Sequence, residues 1–324
     1  MIKRHGYLFA LPFVALSALG APLGAQSYPS GPVTIIVGAS AGGTTDTLAR
    51  VVAQGLTEKF DQPFVVDNRP GAGGAIAAQA VADANADGRT LLVAFTSHTL
   101  NTALFNDLPY DPIEDFEPVS LLAQVSSLLL ARGDLGVETL SEALELGRNA
   151  PDGVTFAVGG LGSSLHMETL KFLAESGVAG IEIPFPGTAP AIADLLGGHV
   201  DFMFAPFASS VPLVEAGSVK ALAVTSPERN PNFLDLPAVI EAIEGYPITY
   251  GWFGVLATAG TPHEDVAALN EAIASIMQSE RAQSVLRNEG ASAPEMTPEN
   301  FKAFLIEDMA AWQSIGENAE IERQ

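Results

Sequence analysis

The stretch from Val33 to Asp46, VTIIVGASAGGTTD, decides the fold of this chain. Its first part, Val33 to Val37, is mostly β-branched and ends at a glycine, as is typical of a strand covered on both faces. Beyond the glycines, Leu48, Val52 and Leu56 recur at a spacing of four residues, as on the buried side of a helix. The stretch therefore predicts a strand, a glycine-rich turn and a helix, the repeating unit of α/β proteins.

The turn in this unit has two interpretations. One is an anion-binding turn, because glycines let a ligand approach the backbone and the first N–H groups of a helix have no intrahelical partners. The other is a tight connection in which Thr44 or Thr45 caps the helix. The candidate binding residues of the turn are Ser40, Ala41, Gly42, Gly43, Thr44 and Thr45.

The same unit recurs along the chain. Residues 63–67 and 90–95 are strand-like runs separated by an alanine-rich helix, which predicts half of a doubly wound sheet. A second series begins at 154–158, where a strand opens into another glycine- and serine-rich turn. Ligands of such sheets bind at the carboxyl ends of the strands, so the residues that follow each strand are candidates. They are Thr96, Ser97, His98, Gly160, Gly162, Ser163, Ser164, His166, Gly187, Thr188, Ala205 and Pro206.

Two long apolar runs predict that the chain crosses between two lobes. Val119 to Leu130 is long enough to pass from one lobe to the other as a continuous strand, and Tyr250 to Leu256 is a second such run that carries the chain back. Two crossings imply a discontinuous first lobe, residues 26–125 with 250–324, and a second lobe, residues 126–249.

Charge and composition exclude several classes of function. The chain has 38 acidic and 15 basic residues, a formal net charge of −23, which argues against nucleic acid and anionic membranes as partners. It has no cysteine, which excludes thiol catalysis and thiolate metal sites. Its histidines have no metal-ligand spacing and its glycine turns lack a Walker lysine, so neither a metal nor a cofactor is expected.

The N-terminal segment indicates export. Lys3 and Arg4 make a basic start, Tyr7 to Leu19 is an apolar run too short to span a bilayer, and small residues follow up to Ala25. This order is typical of a secretory signal, so residues 1–25 are expected to be a signal peptide that is cleaved near Ala25. The mature protein is then expected to be exported and soluble.

A serine hydrolase is the alternative from another class. Gly38 to Gly42 matches the Gly-x-Ser-x-Gly motif between a strand and a helix, with Ser40 as the nucleophile. The serine-hydrolase fold needs strands and an oxyanion loop before the motif, and only about a dozen mature residues precede Ser40.

His98 and His166 each have two interpretations. Each is a donor to a ligand carboxylate, or it is a side chain that ties down its own loop.

Several ordered blocks of the sequence resemble one family. The chain is similar, from Tyr28 to Trp312, to the Bug (TctC-like) family, the extracytoplasmic solute receptors of tripartite tricarboxylate transporters. The blocks that carry the resemblance are Tyr28-Pro29-Ser30-Gly31-Pro32-Val33-Thr34-Ile35-Ile36-Val37, Gly42-Gly43-Thr44-Thr45-Asp46-Thr47-Leu48-Ala49-Arg50, Asn68-Arg69-Pro70-Gly71-Ala72-Gly73-Gly74, Leu108-Pro109-Tyr110-Asp111-Pro112, Asp194-Leu195-Leu196-Gly197-Gly198-His199-Val200-Asp201 and Ala221-Leu222-Ala223-Val224-Thr225.

The resemblance implies a fold and a role. The fold is an α/β periplasmic-binding-protein (type II-like) fold, with two α/β lobes joined by a two-strand hinge. The role is that of a monomeric, non-enzymatic receptor, which holds a small organic carboxylate in the cleft through loop amides, hydroxyls and bridging waters. The implied partner is the membrane permease of a tripartite tricarboxylate-type transporter.

The chain departs from the family pattern in the expected cleft. The family often has prolines at Ser40 and Ala41, a lysine at Pro186 and an aspartate at Ala205. The far end of the pocket is therefore expected to be less polar, with a carboxylate that carries an apolar or aromatic remainder as the favoured ligand. Aromatic side chains flank both positions, Phe185 and Phe207; either they line the pocket or they pack into the core of the lobe.

Overall fold

The computed structural model describes residues 28–161, 163–230 and 233–318. The expected signal peptide, its cleavage point near Ala25 and the candidate Gly162 lie outside the described residues. Within the part that is described, no helix is both long and apolar enough to cross a membrane.

Eleven strands form from the β-branched and apolar runs of the described residues. They are β1 (Val33–Val37), β2 (Phe64–Asn68), β3 (Thr90–Phe95), β4 (Phe116–Val125), β5 (Ser127–Arg132), β6 (Val154–Gly159), β7 (Gly180–Phe185), β8 (Phe202–Pro206), β9 (Val219–Val224), β10 (Gly251–Thr258) and β11 (Ala291–Ser292).

Ten α-helices connect and cover these strands in the same part of the chain. They are α1 (Thr44–Phe60), α2 (Ala75–Ala82), α3 (Ser97–Leu104), α4 (Leu140–Asn149), α5 (Ser164–Ser176), α6 (Thr188–Leu196), α7 (Phe207–Glu215), α8 (His263–Met277), α9 (Glu280–Glu289) and α10 (Pro298–Asn318). Short 3₁₀ turns occur at Ala72–Gly74 and Val239–Glu241.

The strands form two separate mixed sheets. The first has the order β11-β4-β10-β3-β1-β2, and the second has the order β7-β6-β8-β5-β9. β1 pairs in parallel with β2 and β3, as the opening strand-turn-helix pattern predicts, whereas β10 runs antiparallel to β3 and β4. Each sheet has its own core, since separate clusters of buried side chains lie against both of its faces.

The helices bury an apolar face on each sheet. Leu48, Val52 and Leu56 of α1 are almost inaccessible and pack in one cluster with the strands β1 and β3 and with α8. The spacing of four residues that predicted the helix is therefore the spacing of its buried side. On the second sheet, Phe156, Phe172 and other buried side chains of the strands, α4 and α5 form the corresponding cluster.

The two crossings differ in detail from the sequence prediction. The run from Val119 to Leu130 is not one strand, because β4 ends at Val125 in the first sheet and β5 begins at Ser127 in the second. The two halves pair with different neighbours, so the ladder breaks at Ser126. The run from Tyr250 to Leu256 does not carry the chain back, since β10 belongs wholly to the first sheet and the return precedes Gly251.

A third contact joins the two sheets beside these crossings. Met167 of α5 packs in a small buried cluster with Leu100 and Ala103 of α3 and with Trp312 and Ile315 of α10. The start of α5 is thereby held against two helices, α3 and α10, that belong with the first sheet.

Candidate functional site

A cavity of about 210 Å³ lies where the two sheets approach each other. Cavities of about 150 Å³ accept a molecule of the size of benzene, so this one has room for a small organic ligand. Residues of both sheets and their helices line it: Thr44, Val125, Ser126, Ser127, Ser164, Leu165, Glu168, Pro206, Phe207, Thr225, Thr249, Tyr250, Gly251, Phe253, Glu289 and Trp312.

Helix α1 begins at this cavity without a side-chain cap. Thr44 is its first residue and lines the cavity, and no side chain bonds to the helix start at Gly43. The capping role considered for Thr44 and Thr45 is therefore wrong. The first N–H groups of α1 have no intrahelical partners, and the helix dipole favours an anion beside them.

A hydrogen-bond network holds the turn before α1 in shape. Asp46 accepts from the backbone N–H of Gly42 and from Arg50, both at 2.9 Å, and the Arg50 interaction lowers the pKa of Asp46 to about 2. Asn68 donates to the carbonyl of Ala39 at 3.0 Å. The acidic side chain nearest the helix start is thus engaged with the turn itself.

Helix α5 begins at the same cavity from the other sheet. Ser163 caps it, with its hydroxyl accepting from the N–H of His166 at 3.2 Å, while Ser164 is its first residue and lines the cavity. The turn ahead of it depends on Gly160, whose φ of +111° is in the left-handed region that glycine adopts readily. Two glycine-rich turns from separate sheets therefore end at one cavity.

A buried ion pair forms part of the cavity wall. Glu168 of α5 accepts from Lys171 at 2.8 Å, from Tyr246 at 2.7 Å and from Thr249 at 3.2 Å, and Lys171 also donates to Thr249 at 2.6 Å. The Lys171 ammonium lies 4.5 Å from the centre of the Tyr246 ring. Burial raises the pKa of Tyr246 well above its usual value, so this hydroxyl stays protonated. The network joins α5 to the segment just before the second crossing.

The structure brings only some of the predicted residues to the cavity. Thr44, Ser164 and Pro206 line it. The rest of the first turn, Ser40 to Gly43, is exposed, and Thr45 is buried in the first turn of α1 outside the cavity wall. Ser97, Gly160, Ser163, Gly187 and Thr188 are half-buried near strand or helix ends and are not part of the cavity wall.

His98 and Thr96 lie in the interior of the first lobe. They were expected in a loop, but α3 begins at Ser97, which places them at its start. His98 stacks on Tyr110 with ring centres 5.1 Å apart, and its Nε2 is 3.0 Å from the carbonyl of Pro112. Burial lowers the pKa of His98 to about 4, so the ring is neutral and serves to tie down the segment that covers it.

Thr96 has a structural role too, as its hydroxyl accepts from the backbone N–H of Trp252 at 2.9 Å. His166 is buried on the first turns of α5, with its Nε2 3.5 Å from a carboxylate oxygen of Glu182. Neither residue is part of the cavity wall.

A second buried carboxylate lies beside the cavity. Asp308 of α10 accepts from Thr99 at 2.6 Å and from the indole Nε1–H of Trp252 at 2.9 Å. Burial outweighs these hydrogen bonds and the charge of Lys171, and it raises the pKa of Asp308 to about 6. The neighbouring Trp312, which lines the cavity, has no partner of good hydrogen-bond geometry for its own Nε1–H among the described residues.

This raised pKa makes stability depend on pH. A carboxyl group with a raised pKa binds its proton more tightly in the folded than in the unfolded state, so its contribution to stability falls as the pH rises. Between about pH 5 and about pH 8, we expect the free energy of unfolding of the natural chain to fall by about 1.5 kcal/mol more than that of Asp308→Asn. Urea unfolding of both proteins across this range measures the difference, and parallel curves would contradict it.

Sequence reasoning missed most of the cavity wall. Ser126, Ser127, Thr249, Tyr250 and Gly251 lie in or directly beside the two crossings. The prediction of two crossings was a signal that could have found them, since such segments form the base of a cleft. Glu289 and Trp312 come from the C-terminal helices, where the sequence pattern indicates only packing. In the described residues no group of three or more histidine or acidic side chains is arranged to hold a metal.

The sequence model of one protein family, the tripartite tricarboxylate transporter family receptor, matches residues 48–321 of the chain. The chain belongs to this family. Protein BugT of Bordetella pertussis is 34% identical over 307 residues, covering 94% of each chain. A protein of R. palustris solved with adipate is 35% identical, with a TM-score of 0.76 over 92% of this chain and 100% of the other. MatC from Rhodopseudomonas palustris, solved with bound malate, is 34% identical, with a TM-score of 0.72 over 89% of this chain and 100% of the other.

Membership in the receptor family confirms the resemblance and the expected periplasmic-binding-protein fold. Neither Ala205 nor Pro186, two positions at which the chain departs from the usual family pattern, is part of the cavity wall. Ala205 is fully buried in β8, and Pro186 is exposed. Phe185 packs against the core of the second sheet, and Phe207, a buried member of that same core, also lines the cavity. Of the two aromatic side chains considered for the pocket, the structure thus brings one to it.

Proposed function

We propose that this family member is a periplasmic receptor that captures a small organic carboxylate in the cavity between its lobes and delivers it to a tripartite tricarboxylate-type permease. The observation that carries the proposal is the convergence of Thr44 and Ser164, the first residues of α1 and α5, on one cavity. A carboxylate between two helix starts accepts from backbone N–H groups and from both hydroxyls.

The division into two lobes belongs to the same proposal. Residues 26–125 with 250–324 and residues 126–249 then move about the crossings at Ser126 and before Gly251, and a bound ligand stabilises the closed arrangement because it contacts both lobes. We expect a monomer, exported by means of the signal segment.

A screen of ligands tests the proposal directly. Protein stripped of ligand by unfolding and refolding is heated with mono-, di- and tricarboxylates and with aromatic carboxylates. A compound that binds only the native state stabilises it by about 2.7 kcal/mol at a hundredfold excess over Kd. If none of these carboxylates raises the Tm of the protein, the proposed function is contradicted.

The two hydroxyl groups give the first binding prediction. Thr44→Val and Ser164→Ala each remove a donor from the proposed carboxylate site, and a hydrogen bond to a charged group contributes about 1.5–3 kcal/mol. We therefore expect each change to weaken the tightest carboxylate found in the screen by about tenfold or more, as measured by calorimetric titration.

Thr34→Val is the matched control for these variants. It is the same kind of substitution on β1, and Thr34 is not part of the cavity wall. The control should bind as the natural chain does. If both site variants also retain full affinity while their circular dichroism is unchanged, the carboxylate does not lie between the two helix starts.

Salt dependence gives the second binding prediction. No lysine or arginine is among the residues that line the cavity, and Arg69, the cation that directly follows β2, pairs with Asp67 at 2.8 Å on the surface. Affinity should then change less than about threefold between low salt and about 0.5 M sodium chloride, because no ion pair is screened. A steep loss of affinity would mean that a cation holds the ligand.

The proposal also holds that the chain is not an enzyme. Ser40 is exposed in the turn before α1, His98 is buried and bonded to Pro112, and His166 faces Glu182. Treatment with a fluorophosphonate probe separates the hydrolase alternative from the receptor. Covalent labelling that disappears in Ser40→Ala would contradict the receptor proposal.

A further inference from the structure

The charges of the cavity wall are uneven. Two acidic residues line it, Glu168 from the second lobe and Glu289 from the first, and no basic residue does so. Glu168 is balanced, because Lys171 donates to it at 2.8 Å and is itself almost wholly buried. Glu289 is half-buried and has no ion pair or hydrogen bond to its carboxylate among the described residues. One negative charge in the wall is therefore uncompensated.

The end of α9 adds to this negative charge. Glu289 is the last residue of a helix of 10 residues, and the C-terminus of a helix has a partial negative charge that favours cations. Gly290 ends the helix at a φ of +60° against the ring of Phe207, which occupies the position that a Cβ would take there. The negative end of α9 thus sits directly on an aromatic part of the cavity wall.

The cavity wall consequently has two unlike parts. The starts of α1 and α5 favour an anion, and the end of α9 with Glu289 favours a cation. Aromatic side chains complete the lining, namely Phe207, Tyr250, Phe253 and Trp312, and aromatic faces attract a cation that has lost part of its water. A ligand with two carboxylates would bring its second charge to a wall that has no cation to receive it.

From this arrangement we infer that the ligand is a zwitterion, a small amino carboxylate whose carboxylate lies at the starts of α1 and α5 and whose ammonium lies beside Glu289. The inference rests on the proposed function and names the substrate class of that site. It also gives Glu289 a role as the residue that determines specificity against dicarboxylates.

Matched ligands test the inference on the ligand-stripped full chain. 4-Aminobutyrate and valerate have the same number of non-hydrogen atoms and differ only in a terminal ammonium or methyl group, and glutarate replaces that group by a second carboxylate. A second set, 5-aminovalerate, hexanoate and adipate, repeats the comparison with a longer chain. We expect the amino carboxylate of the better-fitting set to bind at least about tenfold more tightly than its methyl counterpart, with the dicarboxylate weakest.

Glu289→Gln separates the charge from the shape of the wall. It should lower the affinity for the amino carboxylate by about tenfold, leave the methyl counterpart unchanged and raise the affinity for the dicarboxylate. Glu280→Gln is the control, because it removes the same charge from the same helix at a residue that pairs with Arg287 on the surface. This control should bind all three ligands as the natural chain does.

The outcomes distinguish the inference from the proposed function. A dicarboxylate or methyl compound that binds most tightly in both sets overturns the inference and leaves the receptor proposal standing. An amino carboxylate that is preferred equally by Glu289→Gln also overturns it, since the ammonium then lies elsewhere. If the broad screen finds no carboxylate ligand at all, the proposed function fails and the inference falls with it.

Discussion

Lys171→Met should destabilise the protein by about 3–5 kcal/mol, because it leaves the buried carboxylate of Glu168 without its cation. The Lys171 side chain is 1% exposed and that of Glu168 is 7% exposed, so water does not replace the lost interaction. Tyr246 and Thr249 continue to donate to the carboxylate, but hydroxyl donors do not neutralise a charge. Urea unfolding at about pH 8 measures the loss, provided that the slope with urea concentration is unchanged.

Two further variants test this expectation. In the double variant Glu168→Gln with Lys171→Met, both charges are gone and the amide oxygen still accepts from Tyr246 and Thr249, so most of the lost stability should return. Lys220→Met is the surface control, since Lys220 pairs with Glu138 where both side chains are at least 36% exposed, and it should cost at most about 1 kcal/mol. A cost for Lys171→Met no greater than that of the control would mean that the ion pair is not insulated from water.

Trp252→Ala should cost a similar amount, about 3–5 kcal/mol, by opening a large hole in the core. Trp252, the second residue of β10, is fully buried, and it packs edge-on against Phe301 and Phe304 of α10. The substitution also removes one of the donors to Asp308, a buried carboxylate. The hole in the core and the lost hydrogen bond both lower the free energy of unfolding.

Comparison with Trp252→Phe separates the contribution of packing from that of the hydrogen bond. It keeps an aromatic ring in the core and removes the indole Nε1–H, so it should cost clearly less than the alanine variant. Thermal and urea unfolding of both variants give the comparison. Equal losses would show that the hydrogen bond to Asp308, and not the volume of the ring, accounts for the effect.

The opening stretch determined local structure because its information is local. β-Branched residues from Val33 to Val37 stiffen the backbone into a strand, and the spacing of Leu48, Val52 and Leu56 gives a helix one apolar side wherever it packs. The structure has β1 and α1 at these places, with Thr44 as the first helical residue. The second glycine-rich turn was found by the same reasoning, and Ser164 begins α5.

The histidines mark the limit of that reasoning. A histidine after a strand is compatible with a ligand donor and with a core residue, because the sequence near it does not reveal what covers it. For His98 the answer came from Tyr110 and Phe116, which fold back over its ring. That contact depends on a segment about a dozen residues away and on the strand β4 that follows it.

The sequence by itself determined the strand-turn-helix units, the crossing within the run from Val119 to Leu130, and the family. Only the tertiary structure decided which ends of those units share a cavity, where the crossings break, and that Glu168, Glu289 and Trp312 belong to the wall. The physical reason is the distance along the chain over which each effect acts. Backbone preference and side-chain periodicity act between neighbours in the chain, whereas a cavity is made by side chains such as Thr44, Ser164 and Glu289 that meet only after both sheets have formed.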